Sequence, residues 1–291
     1  MRKRLRQRLN ENSLTKNKLV DSYNSFDTVG DIAITKLPDS SNETAKAIAR
    51  EILDCNKGIK TVLAQSSKVS GDYRLRKLTY IDGEEKTRTT HKEHGCIFVV
   101  DVQTCYFSPR LSGERLRIAE LVQPGETVVN MFAGVGCFSI LIAEKEISAR
   151  VFSIDINPEA FEFMQENIRL NRMIGRVLPL LGDAKEIVKT QLSGVADRVL
   201  MLLPEKAFEY LPSAVSALKT SGGWLHIHLF EHATKPESAA VKASMRVADA
   251  LRLQGVAFKF GAIRKVRSIG PHWSQIVVDV NVLPSVRSLS S

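Results

Sequence analysis

Cysteine is scarce: the 291-residue chain has four, Cys55, Cys96, Cys105 and Cys137, with no CxxC spacing among them. That excludes a disulfide framework and a zinc ribbon, and it suits a reducing, intracellular compartment. Long apolar runs are missing as well. Stretches such as VVNMF and FSILIA break off within about ten residues, far short of the ~20 that span a bilayer. No membrane association is therefore expected. Internal repeats and low-complexity tracts are also lacking, while 44% of the residues are hydrophobic, enough to bury a real core.

Acidic residues are in deficit, 32 against 41 Lys and Arg, for a net charge of +9. Six of those nine charges lie in residues 1–20, where Arg2, Lys3, Arg4, Arg6, Arg8, Lys16 and Lys18 face Glu11 alone. Residues 1–25 thus read as a basic arm. It is open to three readings: a tail for nucleic acid, an organellar targeting peptide, or a solvated terminus. The body is nearly neutral.

Beyond the arm the periodicity defines two parts, 26–95 and 96–291. In the first, Ile32 and Ile34 predict a strand ending at Pro38. Asn42 is placed as the N-cap of a helix carrying Ala45, Ala47, Ile48, Ile52 and Leu53. Strands are expected at TVLAQ, RKLTYI and CIFVVDV, with Asp82-Gly83 as a hairpin turn. The second part alternates strand and helix: ETVVNMF then GCFSILIAEK, and RVFSIDI then PEAFEFMQENIRLNR. Strands RVLPLLGDA, DRVLMLL and GWLHIHLF follow, and AFKFGAIRKVRSI with HWSQIVVDVNVL closes the chain as an antiparallel pair. This predicts an α/β, doubly wound parallel sheet preceded by a small α+β domain.

A complete GxGxxG is absent. NMFAGVGCF, from Asn130 to Phe138, ends a strand in a turn with Gly134 and Gly136 and enters a helix, but Ser139 stands where the third glycine would be. Glycines there let the backbone approach a ligand at the carboxyl ends of the strands. Asp155 ends the next strand, 21 residues past Gly134, where it can accept ribose hydroxyls or merely cap the strand. Gly182-Asp183 then follows a further strand, placed for an adenine amino group. Loop, ribose acid and adenine acid in this order predict a nucleoside cofactor. The incomplete pyrophosphate fingerprint favours phosphate-free S-adenosylmethionine over a dinucleotide.

Four segments carry a resemblance: GDYR at Gly71–Arg74, YFSPRLSGER at Tyr106–Arg115, NMFAGVG at Asn130–Gly136 and DINP at Asp155–Pro158. With the FDTVGDI opening, they resemble the archaeal and eukaryotic tRNA (guanine-37-N1)-methyltransferases over residues 26–291. The resemblance implies a Rossmann-type fold, S-adenosylmethionine as cofactor and the tRNA anticodon loop as partner. It also implies a front lacking the family's tRNA-elbow domain, with the basic arm in its place. Nothing in the sequence points to an obligate protein partner, and a cytoplasmic location is expected unless the arm directs import.

Methylating guanine N1 needs a base near N1 and a cation or donor near O6. The resemblance assigns these to Glu114 and Arg74; otherwise Glu114 is a surface i,i+3 partner of Arg117, and Arg74 a solvated charge or phosphate contact. Tyr106, Phe132, Ala133, Gly134, Val135, Gly136, Asp155, Ile156, Asp183, Ala184 and Pro204 are expected around the cofactor. Arg110, Arg115 and Arg267 are expected on the RNA side, Arg267 in the basic run IRKVRS, which otherwise reads as a solvated turn. Two departures stand out: Asn130 where the family usually has Asp, and Leu202 in place of an asparagine two residues before Pro204. His226, His228 and His232 lack acidic or cysteine partners at ligand spacing, so a metal is not expected, and a polar wall is.

Overall fold

The computed structural model describes residues 26–36, 43–67 and 69–284. The basic arm, Pro38 and Asn42 lie outside the described residues. The chain divides into two compact units, Met1–Ser112 and Gly113–Ser291.

In the first unit β1 (Phe26–Val29) and β2 (Ile32–Thr35) form a hairpin, and helix α1 (Glu43–Cys55) leads to β3 (Thr61–Gln65), parallel to β2. Strand β4 (Leu78–Gly83) completes a four-stranded sheet in the order β1-β2-β3-β4. Helix α1 buries Ala45, Ile48, Ala49 and Ile52, a spacing of three and four that puts all four on one stripe. They pack with Ala33, Val62, Ala64 and Ile81. Each buried isoleucine is worth about 1.5–3 kcal/mol.

Two expectations are corrected here. Asp82 and Gly83 are not a hairpin turn: they pair with Val62 and Thr61 inside the sheet. The hairpin instead joins β5 (Arg88–Glu93) to β6 (Cys96–Asp101) through His94-Gly95. Both turn residues have positive φ, 49° and 85°, as a two-residue turn between twisted strands requires. That hairpin also moves the boundary from residue 95 to Ser112, since a cut at 95/96 would sever its ladder.

The second unit begins after Ser112, the first residue of helix α2 (Ser112–Leu121). Its sheet has seven strands: β7 (Thr127–Asn130), β8 (Arg150–Asp155), β9 (Val177–Leu181), β10 (Arg198–Met201), β11 (Gly223–His232), β12 (Phe258–Gly270) and β13 (Trp273–Val282). Their order is β12-β13-β11-β10-β7-β8-β9, parallel except for β12 and β13. The order reverses between β7 and β10, the kind of crevice where open α/β sheets bind ligands. The basic run IRKVRS lies within edge strand β12, not in a turn.

The intervening helices are α3 (Cys137–Lys145), α4 (Pro158–Leu170), α5 (Ala184–Ile187), α6 (Ala207–Ala217) and α7 (Ala239–Leu253). One sheet face carries Val129, Met131, Ile154, Leu225, Ile227 and Leu229, packed with Ala214 of α6 and Val247 of α7. Strand alternation sends Asn130, His226 and His228 to the other face, toward α2 and α3.

Candidate active site

The turn after β7 is built from short-range, mostly neutral contacts. Gly134 and Gly136 have φ of 55° and 91°, and Gly136 caps α3. A Cβ on Gly136 would meet Met164 at 3.1 Å and Ile140 at 3.2 Å. The buried Asn130 amide donates to Ser139 Oγ (3.1 Å), and its Oδ1 accepts from the Phe132 N–H at 3.3 Å. Asn130, at the family's usual aspartate position, and Ser139, where a dinucleotide fingerprint has its third glycine, therefore form one hydrogen-bonded pair that braces the turn. Asn167 of α4 braces it from the other side, its amide donating to the Val135 carbonyl at 3.0 Å.

Asp155 ties the loop to the next helix. One carboxylate oxygen accepts from the Gly134 N–H at 2.6 Å, the other from the Asn157 N–H at 3.0 Å. Burial pushes its carboxyl up, against the backbone N–H bonds that pull it down. Each oxygen keeps a second lone pair, so strand capping and acceptance of ligand hydroxyls are compatible. Ile156, beside it, leaves 44% of its surface exposed. Asp183 accepts from the Lys185 N–H (2.7 Å), capping α5, and from the Tyr210 hydroxyl (2.6 Å). Phe132 meets Tyr210 edge to face, ring centroids 5.0 Å apart. Ala133, Val135, Ala184 and Pro204 are buried around this turn and the ends of β9 and β10.

Glu114 is held by charge. It is 4% exposed, so the expected surface pair with Arg117 is instead a buried one. Arg117 donates to both Glu114 oxygens, Nη2 to Oε1 at 2.7 Å and Nε to Oε2 at 3.0 Å. It also grips Asp279 of β13, Nη1 to Oδ2 at 2.6 Å and Nη2 to Oδ1 at 3.2 Å. His228 Nε2 lies 3.6 Å from Glu114 Oε1, beyond hydrogen-bond length. Burial raises the Glu114 carboxyl, yet the facing His228 N–H and the Arg117 guanidinium outweigh it and hold the group at about 2. Asp279, between His226 and Arg117, is likewise held at about 2 against the effect of burial. The chain continues from Asp279 to His226 Nδ1 (2.6 Å), from His226 Nε2 to Arg198 (2.7 Å), and from Arg198 to both Glu126 oxygens.

In the first unit, GDYR is the tip of a tight loop. Ser70 and Leu75 exchange backbone hydrogen bonds at 2.9 and 3.1 Å, and Gly71 and Arg74 both take positive φ, 73° and 56°. An arginine in that conformation costs about 1–2 kcal/mol, so the fold holds it there. Its guanidinium carbon sits 4.3 Å from the Tyr106 ring centroid, a cation–π contact. Arg110 pairs with Asp27 at 2.6 Å.

Arg115 differs from expectation: it is 3% exposed, its guanidinium 5.8 Å from the Phe138 ring. A buried guanidinium does not present itself to an RNA phosphate, so the outer-contact role is set aside. Arg267 is half-buried, with Nε donating to Gln275 at 2.8 Å. His232 packs on the His272 and Trp273 rings. Sequence reasoning missed Asp279, Gln275, Asn167 and Tyr210. Each is a polar residue that belongs to no local motif, and alternation in VVDVN gave the one available signal, for Asp279.

A parallel sheet with a glycine turn at its reversal point and an acid closing the next strand defines a nucleoside-cofactor transferase architecture. Comparison with known proteins gives the family. The TRM5/TYW2 methyltransferase domain matches residues 89–254, and a TYW2 N-terminal domain matches residues 5–87. The chain belongs to the TRM5/TYW2 methyltransferase family, which is S-adenosylmethionine-dependent and acts on tRNA.

Among relatives, tRNA (guanine(37)-N(1))-methyltransferase Trm5b of Pyrococcus abyssi is 40% identical over 89% of this chain and 74% of its own length. The tRNA 4-demethylwyosine(37)-methyltransferase Taw21 of Saccharolobus solfataricus is 36% identical over 89% of this chain and 94% of its own. Among solved structures, aTrm5 in complex with tRNALeu superposes with a TM-score of 0.81 at 29% identity, covering 97% of this chain and 79% of that one. TYW2 of P. horikoshii, solved with MeSAdo, gives 0.75 at 28%, covering 96% and 100%.

Proposed function

We propose that the chain transfers a methyl group from S-adenosylmethionine to N1 of guanosine 37 in the tRNA anticodon loop, in the cytoplasm. The observation that carries this reading is the buried Glu114 carboxylate, fixed by Arg117 in the first turn of α2, in a chain 40% identical to a Trm5b enzyme. The glycine turn fits the cofactor: Gly134 and Gly136 take the positive φ a close turn needs, Asp155 retains acceptor capacity for ribose hydroxyls, and exposed Ile156 offers an apolar platform for adenine. Asp183, Ala184, Phe132, Ala133, Val135, Pro204 and Tyr106 complete the proposed cofactor surroundings. When bound, the cofactor supplies an electrophilic methyl group.

Glu114 accepts the N1 proton, and Arg74 offers its guanidinium to the charge that gathers on O6. A carboxylate held near 2 is a weak base at rest, so accepting the proton entails loosening one of its Arg117 bonds. Arg110 and Arg267 are proposed on the RNA path. Glu114→Gln with Arg74→Ala, assayed with labelled cofactor and an unmodified tRNA transcript, tests the roles. Full activity in either variant overturns that residue's role.

A second reading has its own support: the TYW2 N-terminal domain match and the near-full-length coverage of Taw21, together with the amide missing at Leu202. In that reading the substrate is a tricyclic guanine derivative, or the group added is the larger aminocarboxypropyl. The mass added to the nucleoside separates the two.

A further inference from the structure

His226 and His228 sit two residues apart on β11, facing the same side of the sheet, and their surroundings assign them opposite tautomers. Arginine has no acceptor, so Arg198 must donate to His226 Nε2, which leaves the His226 proton on Nδ1, bonded to Asp279. For His228 the assignment starts at β12. Arg267 Nε can only donate to Gln275 Oε1 (2.8 Å), and this turns the Gln275 amide N–H₂ toward His228 Nδ1 at 3.0 Å. Nδ1 is therefore bare and the proton sits on Nε2. That N–H is the group 3.6 Å from Glu114 Oε1, and His228 is 1% exposed.

We propose that His228 is a positioning residue for Glu114, with its tautomer set from β12 and β13 by Arg267 and Gln275 so that an N–H faces the carboxylate. This rests on Glu114 being the base. In the locked tautomer the carboxylate meets only donors: two N–H groups of Arg117 and, when Arg117 gives up Oε1, the Nε2–H of His228 in reserve. The carboxylate then stays anionic and aimed until the substrate proton arrives. With the opposite tautomer a bare imidazole nitrogen, itself a proton acceptor, would face Glu114 and compete for that same proton. Gln275, buried between an arginine and a histidine, thereby acts on the reaction from two residues away.

Nitrogen-15 NMR of the histidine-labelled full chain at neutral pH, assigned with His226→Gln and His228→Gln, reads the tautomers directly. The expected result is Nε2–H for His228 and Nδ1–H for His226. An Nδ1–H or doubly protonated His228 overturns the proposal.

Gln275→Glu is nearly isosteric but can only accept, and it should flip His228 to Nδ1–H, lowering kcat about 10- to 100-fold with KM unchanged. Gln275→Met, which inserts no charge, should leave mixed tautomers and a smaller loss. A flipped tautomer with unaltered kcat refutes the positioning role. If Glu114→Gln keeps full activity while the tautomers are as stated, the base assignment fails and the lock stands.

Discussion

The glycine turn at Gly134–Gly136 is held mostly by backbone groups and neutral amides, with one carboxylate: Asn130 to Ser139, Asn167 to the Val135 carbonyl, and Asp155 accepting from two N–H groups. Glu114, in the same unit, is held by a buried relay of charges through Arg117, Asp279, His226 and Arg198 to Glu126. The contrast separates two tasks. A turn that must admit a ligand closely needs small residues and directional bonds that cost little when remade. A carboxylate that must stay ionised in a buried place needs compensating charge, because an unpaired buried anion costs several kcal/mol.

Breaking the charged side should have the largest effect. Glu114→Gln is expected to lower methyl transfer about 10²- to 10⁴-fold while cofactor affinity, measured by calorimetry, is unchanged. Arg74→Ala should follow with about 10²- to 10³-fold, again without loss of cofactor binding.

Breaking the neutral side should reverse that pattern. Gly136→Ala forces a side chain into φ +91° against Met164 and Ile140. It should cost about 1–2 kcal/mol of stability and weaken cofactor affinity, with guanosine recognition intact. Its expected signature is a raised KM for the cofactor and a lowered melting temperature. If Gly136→Ala and Glu114→Gln fail in the same way, the division of labour is wrong.

The two sides should also separate with pH. Glu114 and Asp279 are held at about 2, below their ordinary 4.5 and 3.8. Their folded forms favour the anion, so they contribute stability that is fully present above about pH 5. That stability is lost as pH falls from there toward 2, by a few kcal/mol in total. Melting curves of wild type and an Arg117→Met variant should therefore diverge at pH 7 and converge near pH 2; a constant gap contradicts the ionic account. The smallest expected effect belongs to the arm. Removing residues 1–20 takes away six net positive charges, and tRNA affinity should fall and become less salt-sensitive.

Local pattern made much of the fold legible. Helix α1 declares itself through Ala45, Ile48 and Ile52 at helical spacing, and the strands of the second unit, the basic edge strand β12 excepted, show as apolar runs bounded by turn residues. The Asp82-Gly83 error has a physical source. Such a pair favours a tight turn by itself, but here tertiary pairing with Thr61 and Val62 decides, while the real turn, His94-Gly95, puts a histidine at positive φ.

The glycine turn was legible because its geometry demands particular residues in consecutive positions. The Glu114 relay was not, because Arg117 and Asp279 are 162 residues apart and no local rule links them. Arg115 misled for the same reason: adjacency to Glu114 in sequence says nothing of its burial.

The most direct test is nucleoside mass spectrometry of an unmodified tRNA transcript incubated with the full-length protein and isotopically labelled S-adenosylmethionine. The account predicts labelled N1-methylguanosine from position 37 and its loss with Glu114→Gln. A larger added group, a methyl elsewhere, or no product from folded, cofactor-bound protein would contradict it.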